Sequence, residues 1–115
     1  VMLIEALREA DRRPLTLSYH HFPDRRFPGL DLRYRQTQSI TEALRTYGVT
    51  DIVRRATWIS TRMPRAIEAN ILQQPVGRPV LVTTNLNVDQ NGEPIEYGIS
   101  LFAGDKIRLL VDGKR

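Results

Sequence analysis

The sequence contains no cysteine, only two lysines, three phenylalanines and a single tryptophan, and no long apolar run. Without thiols there is no disulfide framework, no zinc ribbon and no thiol nucleophile, and a cytosolic location is the simplest expectation. The longest apolar stretches, such as Pro79-Val80-Leu81-Val82, fall far short of the roughly 20 residues that cross a bilayer as a helix, so no membrane partner is expected. Scarce aromatics and the lack of any block of like charges argue against a dedicated nucleic-acid surface, which needs cations interleaved with stacking platforms. HExxH, a glycine-rich phosphate loop and a serine elbow are also missing, which removes the sharply defined catalytic motifs.

What is present is enough for one folded domain. The chain has 115 residues, 41% hydrophobic and 26% charged, with a formal net charge of +4. The cationic excess is almost all arginine and sits in residues 1–65, with twelve Arg against seven acids. Arginine offers a rigid two-pronged donor for phosphate and carboxylate, so an anionic small molecule is as natural a partner as a nucleic acid.

Alternation and turn chemistry predict a mainly antiparallel sheet with helices inserted between strands, an α+β layout. Met2 to Ala10 and Leu15 to Phe22 read as strands joined across Asp11-Arg12-Arg13-Pro14. Residues Phe22 to Gly29, with two prolines and a glycine, read as a loop. Ser39-Ile40-Thr41-Glu42 carries the spacing of a reciprocal capping box and predicts a helix from about 40 to 47. Ile52 to Thr61 reads as a strand, Pro64 opens a helix to about Leu72, and Val80 to Val88 and Ile95 to Phe102 form a hairpin across Asn91-Gly92. A last strand is expected over Asp105 to Asp112. The first strand has no lead-in, so the sequence is expected to be part of a longer chain.

Two polar features stand out. His20 and His21 are adjacent in a strand and so face opposite ways, which argues against a two-histidine metal site and favours one buried and one near solvent. Glu96 shares a strand face with Gly98, Ser100 and Phe102, and that mixed face fits a ligand cavity or solvent, with solvent the preferred reading from the residues alone.

Leu7-Arg8, Ala10-Asp11-Arg12-Arg13-Pro14, Ser39-Ile40, Gly77-Arg78-Pro79-Val80-Leu81 and Gly92-Glu93-Pro94-Ile95-Glu96-Tyr97, followed by Phe102-Ala103-Gly104-Asp105, resemble the UTRA effector-binding domain of HutC-type GntR transcription regulators. The phosphonate-metabolism regulators of the PhnF kind are the most similar in flavour. The resemblance implies a chorismate-lyase-like fold, no cofactor, a homodimer, and a small anionic effector, either a phosphonate or a phosphorylated metabolite. It also implies operator DNA bound through an N-terminal winged helix-turn-helix that is not in this chain, together with the loss of the family domain's first strand and helix.

Residue by residue, Arg8 matches a family arginine that faces an anionic effector. Ser39 matches the serine that opens a helix, with plain capping as its alternative role. Glu96 matches the acid that meets effector hydroxyl or amine groups, and Phe102 stands where tyrosine is frequent. Ala6, Ser18 and Ala103 depart from a frequent arginine, glutamate and arginine. Arg62, at the end of the Trp58 strand, is a further cavity candidate whose alternative is an exposed strand-end side chain. Glu96 and Phe102 lie about 20 Å apart along a straight strand, so joint contact with one small ligand is expected to need a bend at Gly98 or Gly104. A lyase on the same fold and a dimerisation module without a ligand are the competing functions.

Overall fold

The computed structural model describes residues 1–104 and residue 108. Its elements are β1 (Met2–Ala10), β2 (Arg13–Phe22), α1 (Leu30–Thr37), α2 (Ile40–Arg45), β3 (Val53–Arg62), α3 (Ala66–Leu72), β4 (Val80–Val88) and β5 (Pro94–Ala103). The strands form one five-stranded antiparallel sheet in the order β1-β2-β5-β4-β3. This is the expected α+β layout. The strand expected over Asp105 to Asp112 falls outside the described residues, Arg108 apart.

The first hairpin is tighter than expected. Ala10 pairs with Arg13, so the loop is Asp11 and Arg12 alone, at φ 52° and 64°. Both lie in the left-handed region that a two-residue turn between twisted strands demands. Pro14 is tolerated because it sits at a register shift opposite Glu9, before β2 begins pairing with β5 at Thr16. That β2–β5 pairing closes the fold: His20 stands opposite Gly98, with both helical insertions and two strands between them in sequence.

Alternation gives the sheet two different faces. Leu17, Val80, Val82 and Leu101 are buried on one face beneath Leu72 of α3. The other face presents Thr16, Ser18, His20, Thr83, Asn85 and Ser100, and it is roofed by α1 and α2. Those helices are held by a separate apolar cluster in which Phe22, Phe27, Leu30, Leu44 and Ile95 are fully or almost fully buried. Each such side chain contributes roughly 2 kcal/mol by leaving water. Phe27 sits edge-on between Phe22 and Tyr47, with centroids 6.4 Å and 5.4 Å away.

The β4–β5 turn is tied to this roof. Arg26 donates to Asp89, which is buried and whose Oδ1 accepts from the amides of Asn91 at 2.8 Å and Glu93 at 2.9 Å. Gln90 accepts from the Thr50 amide and donates to the Gly48 carbonyl.

Helix α1 was not expected. Its N-cap is Gly29 at φ 76°, with no side-chain cap bond, and of its apolar residues only Leu30 is buried while Leu32 is exposed. It carries neither a cap signature nor an apolar stripe for sequence reasoning to find. Helix α2 does start at Ser39, whose Oγ accepts from the Glu42 amide at 3.2 Å. The reciprocal half of the box is absent, because Glu42 turns to Arg45 at 2.7 Å and the Ser39 amide donates to Thr37 Oγ1. No helix among the described residues is long and apolar enough to cross a membrane.

Candidate functional site

Between the polar sheet face and the α1–α2 roof lies a cavity of about 880 Å³. Its floor is ordered by the strand register. Arg8, Thr16 and Phe102 form one cross-strand row; Ala6, Ser18, Ser100, Thr83 and Ile59 form the next; His20, Gly98, Asn85 and Thr57 follow. Asn87 opposite Glu96, with Arg54 opposite Asn87, completes the far end. Tyr34, Gln38, Ser39, Ile40 and Thr41 supply the roof side.

Four of the residues singled out from sequence, Arg8, Ser39, Glu96 and Phe102, line this one cavity. Glu96 is 8% exposed, so the solvent reading of its strand face is overturned. No bulge interrupts β5 between Glu96 and Phe102. The β4–β5 ladder runs unbroken from Val80 opposite Ala103 to Asn87 opposite Glu96 and shifts only beyond Asn87, and both residues line the cavity. The oxygen of Ser39 is committed to capping α2.

Arg62 is not a cavity residue. It pairs with Val80, whose side chain belongs to the α3 face, and that parity sends Arg62 to the opposite side of the sheet. There its Nη1 and Nη2 donate to Glu68 Oε1 and Oε2 at 2.9 Å and 3.0 Å. Glu68 is 1% exposed and also accepts from Tyr19 Oη at 3.0 Å and from the Arg65 amide at 2.8 Å. The Arg62 guanidinium, backed by these donors, holds the Glu68 carboxyl at about 2, well below the usual carboxylate range, although burial works against the charge. This is the structural anchor of α3.

Sequence reasoning weighed His20 only as half of a metal pair and did not single out Arg54 or Asn87. His20 Nδ1 lies 2.5 Å from Glu96 Oε2, and Asn87 Nδ2 donates to Glu96 Oε1 at 3.3 Å. Arg54 Nε reaches Asn87 Oδ1 at 3.5 Å. Ser18 and Ser100 share a hydrogen bond of 2.9 Å on the floor between them and Arg8. The adjacent histidines diverge as expected, although neither is buried: His21 Nδ1 donates to the Tyr97 carbonyl at 3.1 Å on the other face. The alternation of Thr16, Ser18 and His20 was the available signal for His20, but its partner on β5 needed the β2–β5 register to be known. With His20 neutral, the charged lining among the described residues is Arg8 and Arg54 against Glu96. Such a cavity suits a polar ligand with an anionic group. No cluster of three or more metal-ligating side chains exists among the described residues.

A family model for the UTRA domain matches residues 1–108. An uncharacterized HTH-type transcriptional regulator of Rhizobium meliloti (strain 1021) is 32% identical over 109 residues, covering 95% of this chain and 45% of its own length. The HTH-type transcriptional repressor PhnF of Mycolicibacterium smegmatis is 27% identical over 107 residues, covering 93% of this chain and 43% of its own. This chain thus spans less than half the length of these curated relatives. The crystal structure of the effector domain of PhnF from Mycobacterium smegmatis superposes with a TM-score of 0.79 at 25% identity, over 98% of this chain and 69% of that one. These relatives are transcription regulators rather than enzymes, which decides against the lyase alternative, and the fold is the chorismate-lyase-like arrangement expected of them. On the match over 108 of its residues and its likeness to these regulators, the chain belongs to the UTRA domain family.

Proposed function

We propose that the cavity is the effector site of a cytoplasmic transcription regulator, and that it takes a small anionic metabolite, a phosphonate or a phosphorylated compound. The observation that carries this reading is the convergence of Arg8, Ser39, Glu96 and Phe102 on one roofed, polar cavity. Arg8 supplies a two-pronged donor for the anionic group, the hydroxyls of Thr16, Ser18 and Ser100 line the path inward, and the Glu96–His20 pair closes the far end. Phe102 offers an apolar wall beside Arg8 and limits the hydroxyl count at that end.

In this reading the domain works with a helix-turn-helix unit that binds operator DNA, and the regulator is a homodimer that reads a two-fold site. Ligand binding between sheet and roof shifts the α1–α2 unit and thereby the DNA-binding state, with repression relieved by effector as the expected direction. Residues 1–115 are expected not to bind duplex DNA directly, because their arginines are scattered among acids and lack aromatic partners.

A thermal-shift screen against phosphonates, sugar phosphates and amino-acid catabolites tests it, because a ligand that binds only the folded chain raises Tm. A phosphonate or phosphate ester that raises Tm in wild type and not in Arg8→Ala supports the reading. A hit list made only of uncharged or cationic compounds contradicts it. Light scattering that returns a monomer for the intact regulator at micromolar concentration contradicts the dimer.

A further inference from the structure

At the far end of the cavity, donors converge on the Glu96 carboxylate from both sides, Asn87 on one oxygen and His20 on the other. Arg54 Nε is aimed at Asn87 Oδ1, which fixes the amide of Asn87 so that its Nδ2 donates to Glu96 Oε1. The other carboxylate oxygen, Oε2, lies 2.5 Å from His20 Nδ1. An ionised carboxylate only accepts, so Nδ1 of His20 carries the proton in this pair. In the neutral form of the ring the lone pair then lies on Nε2, which has no partner among the described residues. The ring is 22% exposed and lines the cavity. Gly98, opposite His20, borders the pair: a Cβ there would make ordinary contact, 3.5 Å from Glu96 Oε2 and 3.9 Å from His20 Nδ1.

We propose that His20, not Glu96, is the group that reads the ligand at this end, that Glu96 is its positioning residue, and that the ligand places a hydrogen-bond donor there, a hydroxyl or an ammonium. Glu96 has both oxygens occupied and is 8% exposed, so its direct reach to a ligand is small. A second anionic group on the ligand would meet a lone pair at Nε2 and the buried Glu96 charge behind it. The proposal rests on the effector-site reading of the cavity and sharpens it. Along β2, Thr16, beside Arg8, and His20 are four residues or roughly 13 Å apart, and an arginine side chain spans about half of that. The ligand therefore carries its anion and its donor a few bonds apart.

Two measurements test this. Long-range proton–nitrogen correlation NMR of the 115-residue chain at pH 8, with His21→Asn for assignment, is expected to show His20 protonated at Nδ1 and bare at Nε2, and Glu96→Met is expected to shift it to the commoner Nε2–H form. Calorimetric titration then compares 2-aminoethylphosphonate, 2-hydroxyethylphosphonate, ethylphosphonate and 2-carboxyethylphosphonate. The first two are expected to bind about five- to tenfold more tightly than ethylphosphonate, a single neutral or charge-assisted hydrogen bond, and the carboxylate probe least well. His20→Phe is expected to erase these differences. Preference for the ammonium probe alone or the hydroxyl probe alone identifies the donor and supports the proposal. Equal binding of all four, or an Nε2–H ring in wild type, overturns it and leaves the effector site standing. If none binds, the anion-site reading fails and the proposal with it.

Discussion

Gly98 and Glu96 stand on the same face of β5, and the Cα of the first borders the pair that the carboxylate of the second makes with His20. A methyl group there makes only ordinary contact, at 3.5 Å from Oε2. Gly98→Ala is therefore expected to fold and to bind nearly as wild type, with any stability change within about 1 kcal/mol. Gly98→Val adds two methyls against the pair and is expected to separate it. The paired variants are compared by Tm and by the His20 nitrogen shifts, and equal His20 shifts in both would show that the pair tolerates the added bulk.

The Glu68 anchor has a defined pH signature. Its folded carboxyl is held at about 2 by Arg62 first and by the Arg65 amide and Tyr19 besides, against an ordinary value of 4.5. A depressed carboxylate contributes its stability above the unfolded value and loses it as the pH falls through the folded one. Wild type should thus be fully supported above about pH 5 and weaken steadily from there toward pH 2. Glu68→Gln is expected to lose about 2 kcal/mol at pH 7 and to show a flatter decline in acid, because charge-assisted hydrogen bonds of this kind carry about that much. Urea denaturation at pH 7, 4 and 3 checks both expectations; parallel curves for the two proteins would contradict them.

Ser39 separates capping from ligand contact. Ser39→Ala removes the acceptor for the Glu42 amide and is expected to cost about 1 kcal/mol. Ser39→Asp restores an N-cap acceptor but adds a negative charge to the cavity lining. It should recover the stability and weaken binding of an anionic ligand. Denaturant midpoints alongside Kd values for both variants make the distinction, and Asp binding as tightly as Ser would place the anion away from the roof.

How much of this was legible in the sequence follows from how local each signal is. β1, β2, β4 and β5 announce themselves by alternation, and Asn91-Gly92 by turn chemistry, with Gly92 at φ 80°. Ser39 announces α2 through its own hydroxyl. Helix α1 carries no such mark: its cap is a glycine and its charged residues face water, so it is held by Leu30 entering a core assembled from Phe22, Phe27 and Ile95. The site divides the same way. Arg8, Ser39, Glu96 and Phe102 were legible through a family resemblance, whereas His20 depends on β2 meeting β5 and Asn87 on its row opposite Glu96. Arg62 was misassigned because strand parity relative to Val80, not strand-end position, decides its face.

Anion binding through Arg8 in the cavity under α1 and α2 is measured by calorimetric titration of wild type, Arg8→Ala and Arg62→Ala with the tightest phosphonate or phosphate ester from the thermal-shift screen. A charge-assisted contact is worth about 1.5 to 3 kcal/mol, so Arg8→Ala should weaken binding about tenfold or more while its Tm stays close to wild type. Arg62→Ala, on the opposite face, should lower Tm and leave Kd unchanged. Unchanged affinity in Arg8→Ala, or a loss of affinity in folded Arg62→Ala, would contradict the account.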